Sequence, residues 1–258
     1  THYRHDPDNN QSISDDRVMS LLRVRDGSIW IGTMTRGIDR LEPRTGNIES
    51  FRFKADDPGS LSANGIMTMY EDTDGNVWVG TFGGGISLFD QATRTFKRFG
   101  HDPAAPDSLS SNRVTSFVQD TSGKMWVGTW GSGLDRFNPQ TGTFDHYTEK
   151  DGLANNVIYG IEADLEDWGR TLLVSLTAGN GAGELWIGTL GGGLNHLDIE
   201  SGAVRRYRQH EGLASDMVLA MARLIQGHEE SVAAREYKTL DNGRDVAGDI
   251  HDSALPLR

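Results

Sequence analysis

The sequence predicts an all-β fold of repeated four-stranded antiparallel units, on three observations. The 258 residues include 32 glycines, about 12% of the chain against a usual level of about 7%. The phrase Trp-Ile/Val-Gly-Thr occurs four times, at Trp30, Trp78, Trp126 and Trp186, with spacings of 48, 48 and 60 residues. Between these phrases short apolar runs alternate with a period of two, and no helical 3.6-residue period appears through residue 210.

Each unit opens with a run ahead of its Trp phrase: Val18–Leu22, Ile66–Tyr70, Val114–Val118 and Val157–Ile161. A turn with Asp or Ser beside Gly joins the two, as at Asp26-Gly27, Asp74-Gly75 and Ser122-Gly123. A Gly-rich turn then leads to a third run, Ile38–Leu41, Ile86–Phe89, Leu134–Phe137 or Leu194–Leu197. A turn such as Pro43–Gly46 or Pro139–Gly142 precedes the last run, Phe51–Phe53, Phe96–Phe99, Phe144–Tyr147 or Val204–Tyr207. Four antiparallel strands in a repeat of about 40–50 residues are the pattern of a β-propeller blade. The glycines are then turn residues, several at positive φ. The tryptophans are expected to pack between neighbouring blades.

The repeat covers residues 1–225, and residues 226–258 show no Trp phrase. His2–Pro7 matches Arg98–Pro103, so the chain opens inside a repeat at its last strand. Gly212–Met221 begins a fifth repeat. The expectation is four full blades plus a split or incomplete fifth. The tail either supplies two degenerate strands, around Val232–Leu240 and Asp245–Ile250, or is irregular, non-native sequence. The arithmetic fits a five-bladed ring closed by the N-terminal strand. It also fits a fragment of a longer propeller, whose exposed edges favour self-association into a homo-oligomer that completes the ring. The extra 12 residues before Trp186 fall around Leu165–Gly183, between the first and second strands of the fourth unit, and are read as an insertion on the face opposite the binding loops.

The charge balance is 25 basic against 37 acidic residues, a net −12. That disfavours nucleic acid and anionic lipid, both of which call for basic surface. No run approaches the roughly 20 apolar residues of a membrane span, and Thr1–Asp6 is too polar for a signal peptide. The chain has no Cys, which excludes disulfides, thiolate metal sites and Cys nucleophiles. Asp72-Thr73-Asp74-Gly75-Asn76 resembles the start of a calcium loop, but it lacks the later Glu and coincides with the repeat's turn. There is no H-E-x-x-H, no G-x-S-x-G and no phosphate loop leading into a helix. No metal, cofactor or catalytic residue is assigned.

The phrase W-[IV]-G-T-x-x-x-G-[IL], with S-L-S-x-N ahead and P-x-T-G behind, resembles the two-component regulator propeller repeat across residues 1 to about 225. The resemblance implies the extracytoplasmic sensor region of a hybrid histidine kinase or related regulator, periplasmic or extracellular. It also implies detection of a glycan or other small nutrient.

Propellers bind at the face formed by the inter-blade loops and the loops between second and third strands. On that face the repeats vary at Arg17 and Arg113, at Arg36, and at Phe82 and Trp130. Aromatic platforms beside guanidinium groups suit sugar rings carrying carboxylate or sulfate, which Arg binds bidentately. The plainer reading of Phe82 and Trp130 is packing between blades. An enzyme reading, a hydrolase or lyase using His101 or His210 near the inter-blade loops, and a purely assembling module are the alternatives.

Overall fold

The computed structural model describes residues 2–163, 183–218, 220–226, 229–235 and 253–256. The inserted segment and the strand expected around Asp245–Ile250 lie outside these residues, Gly183 apart.

Blade 1 is the sheet β1 (Val18–Arg23), β2 (Ile29–Thr33), β3 (Ile38–Leu41) and β4 (Ile48–Phe51). Blade 2 is β5 (Ile66–Glu71), β6 (Val77–Thr81), β7 (Ile86–Asp90) and β8 (Thr95–Phe99). Blade 3 is β9 (Val114–Gln119), β10 (Met125–Thr129), β11 (Leu134–Asn138) and β12 (Thr143–Tyr147). Blade 4 is β13 (Ile158–Ala163), β14 (Glu184–Thr189), β15 (Gly193–Asp198) and β16 (Val204–Tyr207). Each is four-stranded and antiparallel, with strands in sequence order, as the repeat predicts. A three-stranded sheet follows, of β17 (Ala220–Gln226), β18 (Glu229–Arg235) and β19 (Ser253–Pro256). β18 overlaps the strand expected around Val232–Leu240. Among the described residues no helix is long and apolar enough to cross a membrane.

The chain divides into two compact units, residues 1–117 with 135–145, and residues 118–134 with 146–258. The same local chemistry recurs in both. The Thr that closes each Trp phrase is fully buried, and its hydroxyl donates to the carbonyl of the Gly that opens the third run. The distances are 2.9 Å for Thr33–Gly37, 2.8 Å for Thr81–Gly85, 2.7 Å for Thr129–Gly133 and 2.9 Å for Thr189–Gly193. Those four glycines have φ of 81°, 77°, 86° and 80°. A Cβ on any of them would collide with the carbonyl oxygen of the blade's last strand, at Phe51, Phe99, Tyr147 and Tyr207. Both the backbone angle and the close approach therefore demand glycine, and much of the glycine excess is explained at this one turn.

A second glycine position sets the spacing of the blades. A Cβ on Gly32 would lie 2.6 Å from Cγ2 of Ile66, and one on Gly80 2.7 Å from Cγ1 of Val114. In the second unit a Cβ on Gly188 would lie 2.9 Å from Cγ1 of Val218. The second strand of one blade thus receives the first strand of the next against bare backbone.

Trp30 stacks on Phe51 of its own blade, with ring centroids 5.7 Å apart, and meets Phe89 of blade 2 edge-on at 5.0 Å. Trp78 repeats this with Phe99 at 6.4 Å and Phe137 of blade 3 at 5.3 Å. In the second unit Trp126 packs on Tyr147 at 5.2 Å and Trp186 on Tyr207 at 5.6 Å. Packing between blades is what the repeat led us to expect of these side chains. Each buried indole removes a large apolar area from water.

Candidate functional site

The loops leaving each second strand and those entering each first strand meet through backbone hydrogen bonds. In the first unit Met34 N donates to Arg17 O at 2.9 Å, and Phe82 N donates to Gly65 O at 2.8 Å. Phe82 also forms an antiparallel bridge with Arg113. These contacts fix the residue after the Trp phrase beside the residue that opens a blade.

The structure brings Phe82 and Arg113 together. The Arg113 guanidinium lies 5.2 Å from the Phe82 ring centroid, within the range of a cation–π contact. Phe82 remains 51% exposed and Met34 50% exposed. Gly65 sits between them, for a Cβ there would lie 3.2 Å from Met34 O and 3.7 Å from Phe82 Cβ. Its φ is not in the left-handed region, so the backbone does not require glycine at 65. The missing side chain leaves a shallow notch between two half-exposed apolar residues, with a cation on one of them. Packing alone would have buried Phe82, as it buries the other core phenylalanines.

Arg17 is committed elsewhere. Its Nε and Nη2 each donate to one oxygen of Asp15 at 3.1 Å, a bidentate clamp, and its backbone N donates to Asp15 Oδ1 at 3.0 Å. Thr35 Oγ1 donates to Asp15 Oδ2 at 2.7 Å and lies 2.9 Å from Arg17 Nη2. The Arg17 and Thr35 hydrogen bonds hold the Asp15 carboxyl well below the usual carboxylate range, and the hydrogen bond and charge of Asp15 in turn raise the Arg17 guanidinium. Arg17 is a neutralised pair, less available to an anion than its sequence position suggests. Arg36 is exposed, its backbone N donates to Thr33 Oγ1 at 3.0 Å, and its guanidinium has no partner among the described residues.

Trp130 belongs to the second unit. It bridges to Val157 and meets Tyr159 edge-on at 5.1 Å, and burial raises the Tyr159 phenol. Trp130 is only partly exposed. Sequence reasoning missed Met34, Gly65, Asp15, Thr35 and Tyr159. The available signal was Thr35, which stands where the other repeats have Gly83, Gly131 and Gly191.

His101 serves the connector between blades. Its ring Nδ1 is 2.8 Å from Leu109 O, and its backbone N donates to Asn112 Oδ1 at 2.8 Å. The Asp72 carboxylate, at the head of the calcium-loop-like segment, is filled by protein donors: Asp74 N, Asn76 N and the Trp78 indole at 3.0, 2.8 and 2.8 Å.

The family model described as two component regulator propeller matches residues 12–35, 60–83 and 108–131. Each match runs from an inter-blade connector through the Trp phrase to the loop after it. No curated protein matches the chain significantly. Among solved structures, the chain resembles the extracellular domain of the hybrid two-component system BT3049 from B. thetaiotaomicron. The TM-score is 0.65 at 18% identity, over 86% of this chain and 28% of that one. The extracellular domain of BT4673 from the same organism gives 0.64 at 18% identity, over 91% and 36%. PorZ of Porphyromonas gingivalis, a surface component of the type-IX secretion system, gives 0.62 at 15% identity, over 90% and 33%. The chain thus spans about a third of the length of these structures, and at such identity the likeness carries the fold. The three matched repeats, set in blades of four antiparallel strands, bear out the resemblance to the two-component regulator propeller repeat.

Proposed function

We propose that this chain is the ligand-recognising part of an extracytoplasmic sensor, and that it reads a small nutrient or oligosaccharide bearing a carboxylate or sulfate. The observation that carries the reading is the half-exposed Phe82 with the Arg113 guanidinium on its ring, beside Met34. A sugar presents an apolar C–H face to an aromatic ring, while Arg113 and Arg36 offer N–H groups to its anion. On a chain of net charge −12, such a spot is a local reversal of sign, which favours one ligand orientation over general anion attraction. The family and the extracellular origin of the BT3049 and BT4673 domains support the placement outside the cytoplasm.

Titration calorimetry against matched neutral and acidic oligosaccharides tests this. Binding is expected for the acidic members. Phe82→Ala and Arg113→Ala are each expected to weaken it by about tenfold, near 1.4 kcal/mol. Unchanged affinity in both variants, or no binding across the panel, sinks the assignment.

A further inference from the structure

The seam between blades 1 and 2 is open where the seams after it are closed. At the later junctions the residue after the Trp phrase forms an antiparallel bridge with the residue that opens the next blade: Phe82 with Arg113, Trp130 with Val157, and Leu190 with Met217. Met34 and Gly65 are the aligned pair, and no bridge joins them among the described residues.

The loop after the Trp phrase accounts for the difference. Gly83 N and Gly131 N donate across the seam to Asn112 O and Asn156 O, at 2.8 and 3.2 Å, from backbones with φ of 114° and 100°. Thr35 stands at that position in blade 1, and its φ is not in the left-handed region, which a β-branched residue rarely enters. Its hydroxyl is turned to Asp15 at 2.7 Å. Across this seam Gly37 N still donates to Asn64 O at 2.9 Å, but Thr35 N does not.

The open seam has a defined lining. Arg113, Val157 and Met217 carry side chains where Gly65 has none. A Cβ on Gly65 would lie 3.2 Å from Met34 O, 3.7 Å from Phe82 Cβ and 3.9 Å from Phe82 O. Two of these atoms are carbonyl oxygens, and Met34 O accepts no hydrogen bond among the described residues. The walls are the half-exposed side chains of Met34 and Phe82. A space with acceptors at its floor and apolar walls calls for a hydrogen-bond donor with a short apolar end. An acetamido group has both, an N–H for Met34 O and a methyl to lie between Met34 and Phe82. A hydroxyl supplies only the donor.

We propose, on the reading of Phe82 and Arg113 as the ligand platform, that Gly65 sets the specificity of that site, which selects an N-acetylated amino sugar joined to an acidic one. The acetamido group enters the seam. The anion is left to Arg113, on the Phe82 wall, and to Arg36, two residues beyond Met34.

Calorimetry on the full chain compares two disaccharides that differ at one group: glucuronate linked to N-acetylglucosamine, and glucuronate linked in the same way to glucose. The acetamido form is expected to bind about tenfold more tightly. The ratio of the two affinities is the readout, because losing Arg113 weakens both forms alike. Gly65→Ala is expected to bring the ratio near one, with Tm within about 2 °C of the parent, since the backbone at 65 is open to alanine. Thr35→Gly restores the residue of the aligned loops and is expected to lower the ratio as well, which decides the matter should Gly65→Ala fail to fold. Equal binding of the two forms by the parent chain, or a ratio that survives both substitutions, overturns the role of Gly65 and leaves the platform standing. So does binding of other acidic oligosaccharides through Phe82 with neither disaccharide bound. Absence of binding to any acidic oligosaccharide overturns the platform, and the role of Gly65 with it.

Discussion

Trp30 and Trp78 occupy the same register in blades 1 and 2 and are held differently. Both are buried, and both stack on the last-strand phenylalanine of their own blade, at interplanar angles of 11° and 17°. The Trp78 indole N–H donates to Asp72 at 2.8 Å. Trp126 has the same partner in Asp120, at 2.7 Å. Six residues before Trp30 stands Val24, buried in the core with it, and the Trp30 indole N–H has no partner among the described residues. The stacking is therefore sufficient to set the register of a blade. The carboxylate is an addition that also closes the hairpin turn, because Asp72 accepts from the backbone of Asp74 and Asn76.

The largest expected effect comes from removing that addition. Asp72→Ala orphans the buried indole N–H and two turn N–H groups together, and is expected to destabilise by about 3 kcal/mol in urea unfolding. A loss below about 1 kcal/mol would show that water takes the carboxylate's place. A smaller effect separates the two tryptophans directly. Trp78→Phe and Trp30→Phe sacrifice similar apolar area, but only Trp78→Phe breaks a hydrogen bond. Trp78→Phe should cost about 1 kcal/mol more than Trp30→Phe, and equal costs would refute the distinction drawn here.

The same comparison shows what a sequence yields and what it withholds. The strands and turns of blades 1–4 are legible because the period-two runs and the glycines repeat at fixed offsets, and the glycine that opens each third strand is enforced by backbone geometry. The Asp72-to-Trp78 bond is not legible, since it depends on the hairpin folding the turn back over the second strand. Phe82 and Arg113 are legible as occupants of one face through alignment of the repeats. Their contact is not, because it arises only when two neighbouring blades are packed. Arg17 reads as a free cation, and its capture by Asp15 depends on a hydroxyl from Thr35, on a loop two strands away.

That capture is also a difference between the blades. Blade 2 has Ala63, Gly65 and Gly83 where blade 1 has Asp15, Arg17 and Thr35. Blade 1 is clamped at the loop where blade 2 is left open beside Phe82. The clamp's signature is its pH dependence. The folded-state pKa of Asp15 is depressed by the Arg17 and Thr35 hydrogen bonds. Its contribution is therefore fully present above the unfolded value of about 3.9 and is lost as pH falls through the folded value. Asp15→Asn is expected to lower Tm at pH 7 by about 2 °C, since Arg17 is largely exposed and the pair is screened. The gap to the parent chain should narrow as the pH is brought below about 4. A gap of constant size across that range would mean that Asp15 holds the loop through neutral hydrogen bonding, and that Arg17 is free to meet an anionic ligand after all.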